Sequence, residues 1–103
     1  MTNKEAEKWA IKETKRITLS ILKGQNIKTW LFGSRATGKN RKFSDIDIAL
    51  DAGKKGVSRD LMARLSFSFE ESHIPFKVDI LDMRYASNAV CERIRKEGEI
   101  WID

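Results

Sequence analysis

Two stretches of the chain decide its fold: LFGSRATG at residues 31–38 and SDIDIALD at residues 44–51. Side chains of a β-strand point alternately to its two faces, so the second stretch places its aspartates on one face and its isoleucines on the other. This alternation predicts a strand with one buried face and one polar face. The first stretch ends a run of β-branched and aromatic residues at Gly33, which predicts another strand over residues 27–32.

Apolar spacing and capping residues predict the remaining elements. They are a helix from the capping box at Thr2 to about Lys23, a helix capped by Ser58 or Asp60 and ended before Pro75, a strand over residues 76–81, and a helix over residues 87–96. A short apolar tail follows at residues 100–102. The order helix, strand, strand, helix, strand, helix predicts the α/β (α+β) class, with a small mixed β-sheet and helices packed on one side.

Length and composition indicate one domain over residues 1–103, because a second domain of independent stability does not fit in 103 residues. The net charge is +5, but the basic residues are spread along the chain and mixed with glutamates. This distribution is typical of solvated helix faces, so we do not expect a nucleic-acid partner. Cys91 is the only cysteine, and no segment resembles a signal peptide or a membrane span. We expect a cytoplasmic protein.

Asp45 and Asp47 stand side by side on the polar face of the predicted strand. Their like charges repel, and a divalent cation removes that cost; oxygen ligands of this kind suit magnesium. The alternative interpretation is that both carboxylates only keep an exposed sheet face soluble. An EF-hand calcium loop is excluded, since Ile46 and Ile48 form a strand pattern and the required glycine and distal glutamate are missing.

Gly33 and Ser34 favour the metal interpretation, because they end a strand ten residues before Asp45. Glycine permits close approach of a phosphate to the backbone, and serine adds a hydroxyl donor. A short helix near residues 35–37 would direct backbone N–H groups at an anion. Asp79 supplies a third carboxylate from a separate alternating strand. Three aspartates and a phosphate cradle predict a two-metal site.

The pattern Gly33-Ser34, ten residues, then Asp45-Ile46-Asp47-Ile48 resembles the signature of the polymerase-beta-like nucleotidyltransferase superfamily. The longer runs at residues 31–38 and 44–50 are similar to its minimal nucleotidyltransferase branch, and the similarity extends through residues 77–81 into the last helix. The resemblance implies the nucleotidyltransferase fold and an ATP-dependent enzyme that moves AMP to a hydroxyl group with Mg²⁺, bound as two ions.

The resemblance also implies roles for individual residues. Asp45 and Asp47 would ligate magnesium, one of them bridging both ions. Asp79 would complete the metal site and help to deprotonate the attacking hydroxyl. Gly33 and Ser34 would hold the β- and γ-phosphates.

Other polar residues keep two interpretations. Arg35 either neutralises triphosphate charge as a nucleotide-binding residue or forms a surface salt bridge, and the basic loop over residues 39–42 either assists or is simply solvated. His73 suits a surface or capping role better than a catalytic one. The three tryptophans suit the core or an interface better than base stacking.

Small members of this superfamily are typically paired with a helical HEPN-type protein, often as antitoxin and toxin, so the resemblance implies such a partner. Relatives that bind their own acceptor add further domains, and we expect no such domain here. We therefore expect transfer to a partner protein. The alternative is a non-catalytic nucleotide-binding module that neutralises or regulates a partner by binding.

Overall fold

The structure, a computed structural model, describes residues 2–103 and contains four helices and four strands. In chain order these are α1 (Asn3–Leu22), β1 (Lys28–Phe32), α2 (Ser34–Thr37), β2 (Ile46–Asp51), α3 (Arg59–Glu70), β3 (Val78–Asp82), α4 (Asn88–Glu97) and β4 (Glu99–Ile102). Short 3₁₀ turns follow β2 and β3. Within residues 2–103, no helix combines the length and the apolar character needed to cross a membrane.

The four strands form one mixed sheet in the order β3-β2-β1-β4. β1 is antiparallel to both of its neighbours, whereas β2 and β3 are parallel and are joined by a crossover through α3. The prediction of a small mixed sheet is confirmed. The tail at residues 100–102 belongs to a fourth strand, which the sequence pattern did not indicate, and it buries Trp101 beside β1.

α1 and α3 pack together on one face of the sheet, as predicted. That face carries Ile46, Ile48 and Leu50 of β2, all completely buried. α4 differs from the prediction because it lies over the opposite face, where Cys91 and Ile94 cover Trp30 and Ala49. The reason is that the β1 end of this face is apolar and must also be kept from water.

Capping residues begin the helices where the sequence indicates. The Thr2 hydroxyl accepts the Glu5 N–H at 3.2 Å, and the Glu5 side chain reaches back to complete the capping box of α1. Ser58 caps α3 by accepting the Leu61 N–H at 3.1 Å, so it is the cap in preference to Asp60.

Leu65 of α3 provides a test of the core, since its side chain is completely buried. Leu65→Ala should lower the free energy of unfolding by about 2–5 kcal/mol, because it removes apolar contacts and leaves a cavity. Leu19→Ala makes the same truncation at a residue that is 36% exposed, and it should cost less than about 1 kcal/mol. Urea denaturation of both variants measures the difference, and equal losses would contradict this assignment of the core.

Candidate functional site

Gly33 lies directly against Asp47. Phe32 is in register with Asp47 across the antiparallel pair, so the residue after β1 arrives beside this carboxylate. A Cβ at position 33 would stand 2.5 Å from Oδ2 and 3.3 Å from Cγ of Asp47. The backbone here also has φ 76°, in the left-handed region that favours glycine. Both space and conformation therefore require glycine at this position.

Asp79 is brought to Asp47 by the parallel pairing of β2 and β3, in which these two residues are register partners. Neighbouring strands lie about 4.8 Å apart and paired residues share a face, so the two side chains are adjacent. The Asp79 side chain is 44% exposed, and its Oδ1 lies 3.3 Å from Nζ of Lys77. The sequence predicted Asp79 in one site with Asp45 and Asp47, but it could not predict the strand register that pairs Asp79 with Asp47.

Asp45 immediately precedes β2. The Ile46 N–H that follows it donates to the Lys77 carbonyl at 2.9 Å, and the Ser44 carbonyl that precedes it accepts from Arg35 Nε at 2.9 Å. Hydrogen bonds to neighbouring segments thus hold the chain on both sides of Asp45.

Burial raises the pKa of Asp47, and the negative charges of Asp79 and Asp45 raise it further. The positive charges of Arg35 and Lys77 act in the opposite direction but do not cancel the effect. The carboxylates therefore repel one another, and a cation among them would relieve this repulsion.

The carboxylates at this site could supply part of the ligand shell of a magnesium ion. Within residues 2–103, no three His, Cys, Asp or Glu side chains come close enough to form a metal site by themselves. Magnesium usually takes one or two protein carboxylates and completes its shell with phosphate oxygens and water. The carboxylates of Asp47 and Asp79 suit this mode of binding, in which the nucleotide supplies the other ligands.

A pocket of about 450 Å³ opens between α2 and α4. Pockets of this size hold small ligands and cofactors. Its lining residues come from the end of β1, from α2 and its following turn, and from α4: Phe32, Gly33, Ser34, Thr37, Lys39, Val90, Arg93, Ile94, Glu97 and Gly98. The α4 wall was not predicted, because its residues follow an ordinary helical pattern with no motif. Of the basic loop residues, Lys39 lines the pocket, whereas Arg41 and Lys42 do not.

α2 confirms the short helix predicted after Gly33. The N–H groups of Ala36 and Thr37 donate to the Gly33 carbonyl at 3.1 and 3.3 Å. Those of Ser34 and Arg35 come earlier in the first turn, where a helix leaves its N–H groups without internal partners. Of these two residues, Ser34 lines the pocket.

Arg35 does not line this pocket. Its side chain is only 3% exposed, and the guanidinium carbon lies 4.3 Å from the centroid of the Phe76 ring. Nη1 is 3.8 Å from a carboxylate oxygen of Glu7 in α1, while Nη2 is buried without a hydrogen-bond partner among the described residues. The structure thus places Gly33 and Ser34 in the pocket wall, with Asp47 against Gly33 and Asp79 beside Asp47. The charge of Asp45 acts on Asp47, but none of the three aspartates lines the pocket, and Arg35 lies outside it.

Comparisons with known proteins agree with this geometry. A sequence model of the family described as polymerase beta nucleotidyltransferase matches residues 16–103. The chain is 42% identical over 69 residues to the probable protein adenylyltransferase MntA of Haemophilus influenzae, covering 65% of this chain and 58% of that protein. It is 34% identical over 74 residues to the protein adenylyltransferase MntA of Shewanella oneidensis, covering 70% of this chain and 51% of that protein.

A solved structure shares the fold as well. The chain is similar to a toxin-antitoxin crystallised with AMP-PNP, at a TM-score of 0.65 and 26% identity, covering 84% of this chain and 71% of that chain. The resemblance that the motifs indicated is therefore confirmed. The chain spans a little more than half the length of the two curated relatives, 58% and 51%.

Gly33→Ala tests the contact with Asp47. Alanine in the left-handed region costs about 1–2 kcal/mol, and at this position its Cβ must also displace the carboxylate. We expect affinity for ATP with magnesium to fall at least about tenfold, which corresponds to about 1.4 kcal/mol. Gly24→Ala is the matched control, because Gly24 has φ +77° but nothing within 4 Å of the place that a Cβ would occupy. Calorimetry should show a loss of affinity in the first variant only, and equal losses would contradict the steric argument.

Asp47→Asn tests the repulsion between carboxylates. Because the folded protein raises the pKa of Asp47, ionisation of this group weakens the fold as the pH rises through that pKa. The variant should therefore raise the melting temperature of the ligand-free protein at neutral pH, by at most about 2–4 °C because water screens this half-buried group. The gain should disappear at a pH low enough to protonate the wild-type carboxyl.

Asp51→Asn, on the same strand, should have the opposite effect. The Asp51 carboxylate accepts the Gly53 N–H at 2.9 Å and lies 3.6 Å from Arg95, so removing its charge loses favourable contacts. Thermal melts of both variants at several pH values are the measurement. A destabilising Asp47→Asn at neutral pH would show that the cluster is not repulsive.

Proposed function

This chain belongs to the polymerase beta nucleotidyltransferase family, and from that premise we propose that it moves AMP from ATP to a hydroxyl group of a partner protein. The observation that carries the proposal is the register of β2 and β3, which sets Asp79 beside Asp47. Gly33 packs against the same carboxylate and lines the pocket, so phosphate-binding groups and acidic groups meet at one place.

The comparisons support ATP as the nucleotide and a protein as the acceptor. Two relatives are named as protein adenylyltransferases, and a similar toxin-antitoxin was crystallised with AMP-PNP, an analogue of ATP. By the same likeness, we propose that this chain acts as an antitoxin. Its partner would be a helical toxin of the HEPN type.

The triphosphate would bind where α2 begins. Gly33 has no side chain to keep a phosphate from the backbone, and the Ser34 hydroxyl and the first N–H groups of α2 provide donors for the β- and γ-phosphates. Lys39 and Arg93 line the same pocket from opposite walls, and their positive charges would favour the anionic ligand. The apolar side chains of Val90 and Ile94 would contact the nucleoside.

Asp45, Asp47 and Asp79 would hold magnesium together with the phosphate oxygens of the bound nucleotide. When bound, the ions would offset the repulsion among the carboxylates and stabilise charge on the departing pyrophosphate. This arrangement also explains why the aspartates form no complete metal site within residues 2–103 alone, since part of the ligand shell comes with the substrate.

Asp79 would act on the acceptor. The hydroxyl oxygen attacks the α-phosphorus, a new P–O bond forms, and the bond from the α-phosphorus to the bridging oxygen of the β-phosphate breaks. Pyrophosphate leaves, and the hydroxyl proton passes to the Asp79 carboxylate. Its side chain is 44% exposed, so an approaching tyrosine, serine or threonine of another protein can reach it.

A partner protein would orient its own hydroxyl against this open site. Correct orientation of two reacting groups is worth about 7–11 kcal/mol of the barrier, so free hydroxyl compounds should be poor acceptors.

The second candidate function is a nucleotide-binding module without transfer activity. One observation favours it: none of the three aspartates lines the pocket that Gly33 and Ser34 line. Such a module would use the same pocket and would regulate its partner by binding alone.

Asp79→Asn distinguishes the two functions, because a proton acceptor matters to transfer far more than to nucleotide binding. We expect turnover with the partner to fall about 10²–10⁴-fold while ATP affinity stays within about threefold. Pyrophosphate release and calorimetry measure the two quantities. Asp60→Asn, on the exposed start of α3, is the matched control and should leave both unchanged.

Transfer itself is tested with ATP labelled at the α-phosphate. Label should appear on the partner polypeptide in the presence of magnesium, and Asp45→Ala should abolish it. Label on a small molecule or an RNA end would refute the protein acceptor while leaving nucleotidyl transfer in place. If the wild-type complex binds ATP but releases no pyrophosphate, the binding module becomes the better description.

A further inference from the structure

Arg35 is unusual for a cation next to a phosphate-binding residue, because its side chain is 3% exposed and lies outside the pocket. An arginine that neutralises a triphosphate must present its guanidinium to the ligand. Here Nε donates to the Ser44 carbonyl at 2.9 Å, and the guanidinium carbon lies over the Phe76 ring, 4.3 Å from its centroid. The guanidinium is therefore held by contacts within the protein and is not presented to a ligand in the pocket.

The hydrogen bond from Arg35 to the Ser44 carbonyl helps to fix the backbone at Asp45. Ser44 closes a turn with Arg41 through two hydrogen bonds, of 3.1 and 2.8 Å, and this turn ends shortly before β2 begins. Arg35 ties the carbonyl of Ser44 to α2, while the N–H of Ile46 is tied to the Lys77 carbonyl at 2.9 Å. Both peptide units that flank Asp45 are thus fixed, one of them by a side chain of the phosphate-binding helix.

The contact between Arg35 and the Phe76 ring helps to fix the segment that precedes Asp79. Phe76 is three residues before Asp79, and Lys77 between them supplies the carbonyl that holds Ile46. A buried guanidinium over an aromatic face is held by electrostatic attraction as well as packing. One side chain therefore joins α2 to the segments that precede two of the aspartates.

The cost of this arrangement indicates that stability alone does not account for it. Nη2 of Arg35 is buried without a hydrogen-bond partner among the described residues, and the carboxylate of Glu7 stands 3.8 Å from Nη1. Burying a polar group without a partner is unfavourable. An apolar side chain would fill the same space without this loss, but it could not bond the Ser44 carbonyl.

We propose that Arg35 is a positioning residue, which holds Asp45 and Asp79 at fixed places relative to the phosphate cradle of Gly33 and Ser34. This inference rests on the proposed function, and it replaces a direct contact between Arg35 and the triphosphate. Lysine keeps the charge but has no Nε donor and no planar group, so it cannot make both contacts at once.

Arg35→Lys is the deciding variant. If positioning is the role, the transition state loses more than nucleotide binding does, so kcat should fall at least about 30-fold while KM for ATP changes less than about threefold. In the ligand-free protein, exchange of the Ile46 amide hydrogen, which is bonded to the Lys77 carbonyl, should accelerate at least about tenfold, with no change at Leu50 in β2. Arg64→Lys, on the exposed side of α3, is the matched control and should change none of these.

Two results would overturn the proposal. Wild-type turnover and exchange in Arg35→Lys would show that a positive charge suffices. A raised KM with unchanged kcat, as we expect for Lys39→Met in the pocket wall, would show direct phosphate binding. If Arg35→Lys does not fold, Phe76→Leu serves instead, because it keeps the arginine and removes the ring; it should accelerate the same exchange and lower kcat.

Failure of the proposed function would look different. If the wild-type complex transfers no AMP, there is no kcat to compare, yet the exchange rate at Ile46 is measured without nucleotide or partner. Faster exchange at Ile46 but not at Leu50 in Arg35→Lys would still support positioning. Unchanged exchange would overturn it.

Discussion

The close contact between Gly33 and the Asp47 carboxylate is the constraint on which the site depends. Oδ2 of Asp47 stands 2.5 Å from the place where a side chain of residue 33 would begin, so the turn after β1 can lie there only with glycine. This contact places the start of α2, and therefore one wall of the pocket, directly beside Asp47 of β2. The proposed phosphate-binding turn and the Asp47 carboxylate are neighbours because residue 33 lacks a Cβ.

One face of β2 packs into the core, and the other carries the aspartate that we propose as a metal ligand. Its three aliphatic side chains are completely buried against α1 and α3, while Asp47 on the opposite face carries a pKa raised by burial and by neighbouring carboxylates. A repulsive cluster can persist because the apolar face more than offsets it. The repulsion then becomes useful, since a cationic ligand that relieves it binds more favourably.

Each of the helices α2, α3 and α4 contributes a different feature to the structure around the site. α3 carries the chain from β2 to the parallel strand β3, and without this crossover Asp79 would have no place beside Asp47. α4 covers the apolar end of the same face and then extends past it, so its exposed edge becomes the second wall of the pocket. The short α2 supplies the first wall, and its Arg35 side chain reaches away from the pocket to Ser44 and Phe76.

The sequence by itself determined the features that depend on near neighbours in the chain. The alternation over β2, the cap at Thr2, a cap of α3 at Ser58 or Asp60, and the glycine and serine before the aspartate pair all act within a few residues, so they are readable as patterns. Those patterns also sufficed to indicate the family. Only the tertiary structure decided how these elements are arranged. The strand register pairs Asp47 with Asp79, and α4 packs on the sheet face opposite to α1 and α3. The last residues form an edge strand, and the Arg35 side chain is buried. Each of these outcomes depends on contacts between residues far apart in the chain, where burial and packing of the whole domain select one arrangement among several that local patterns permit equally.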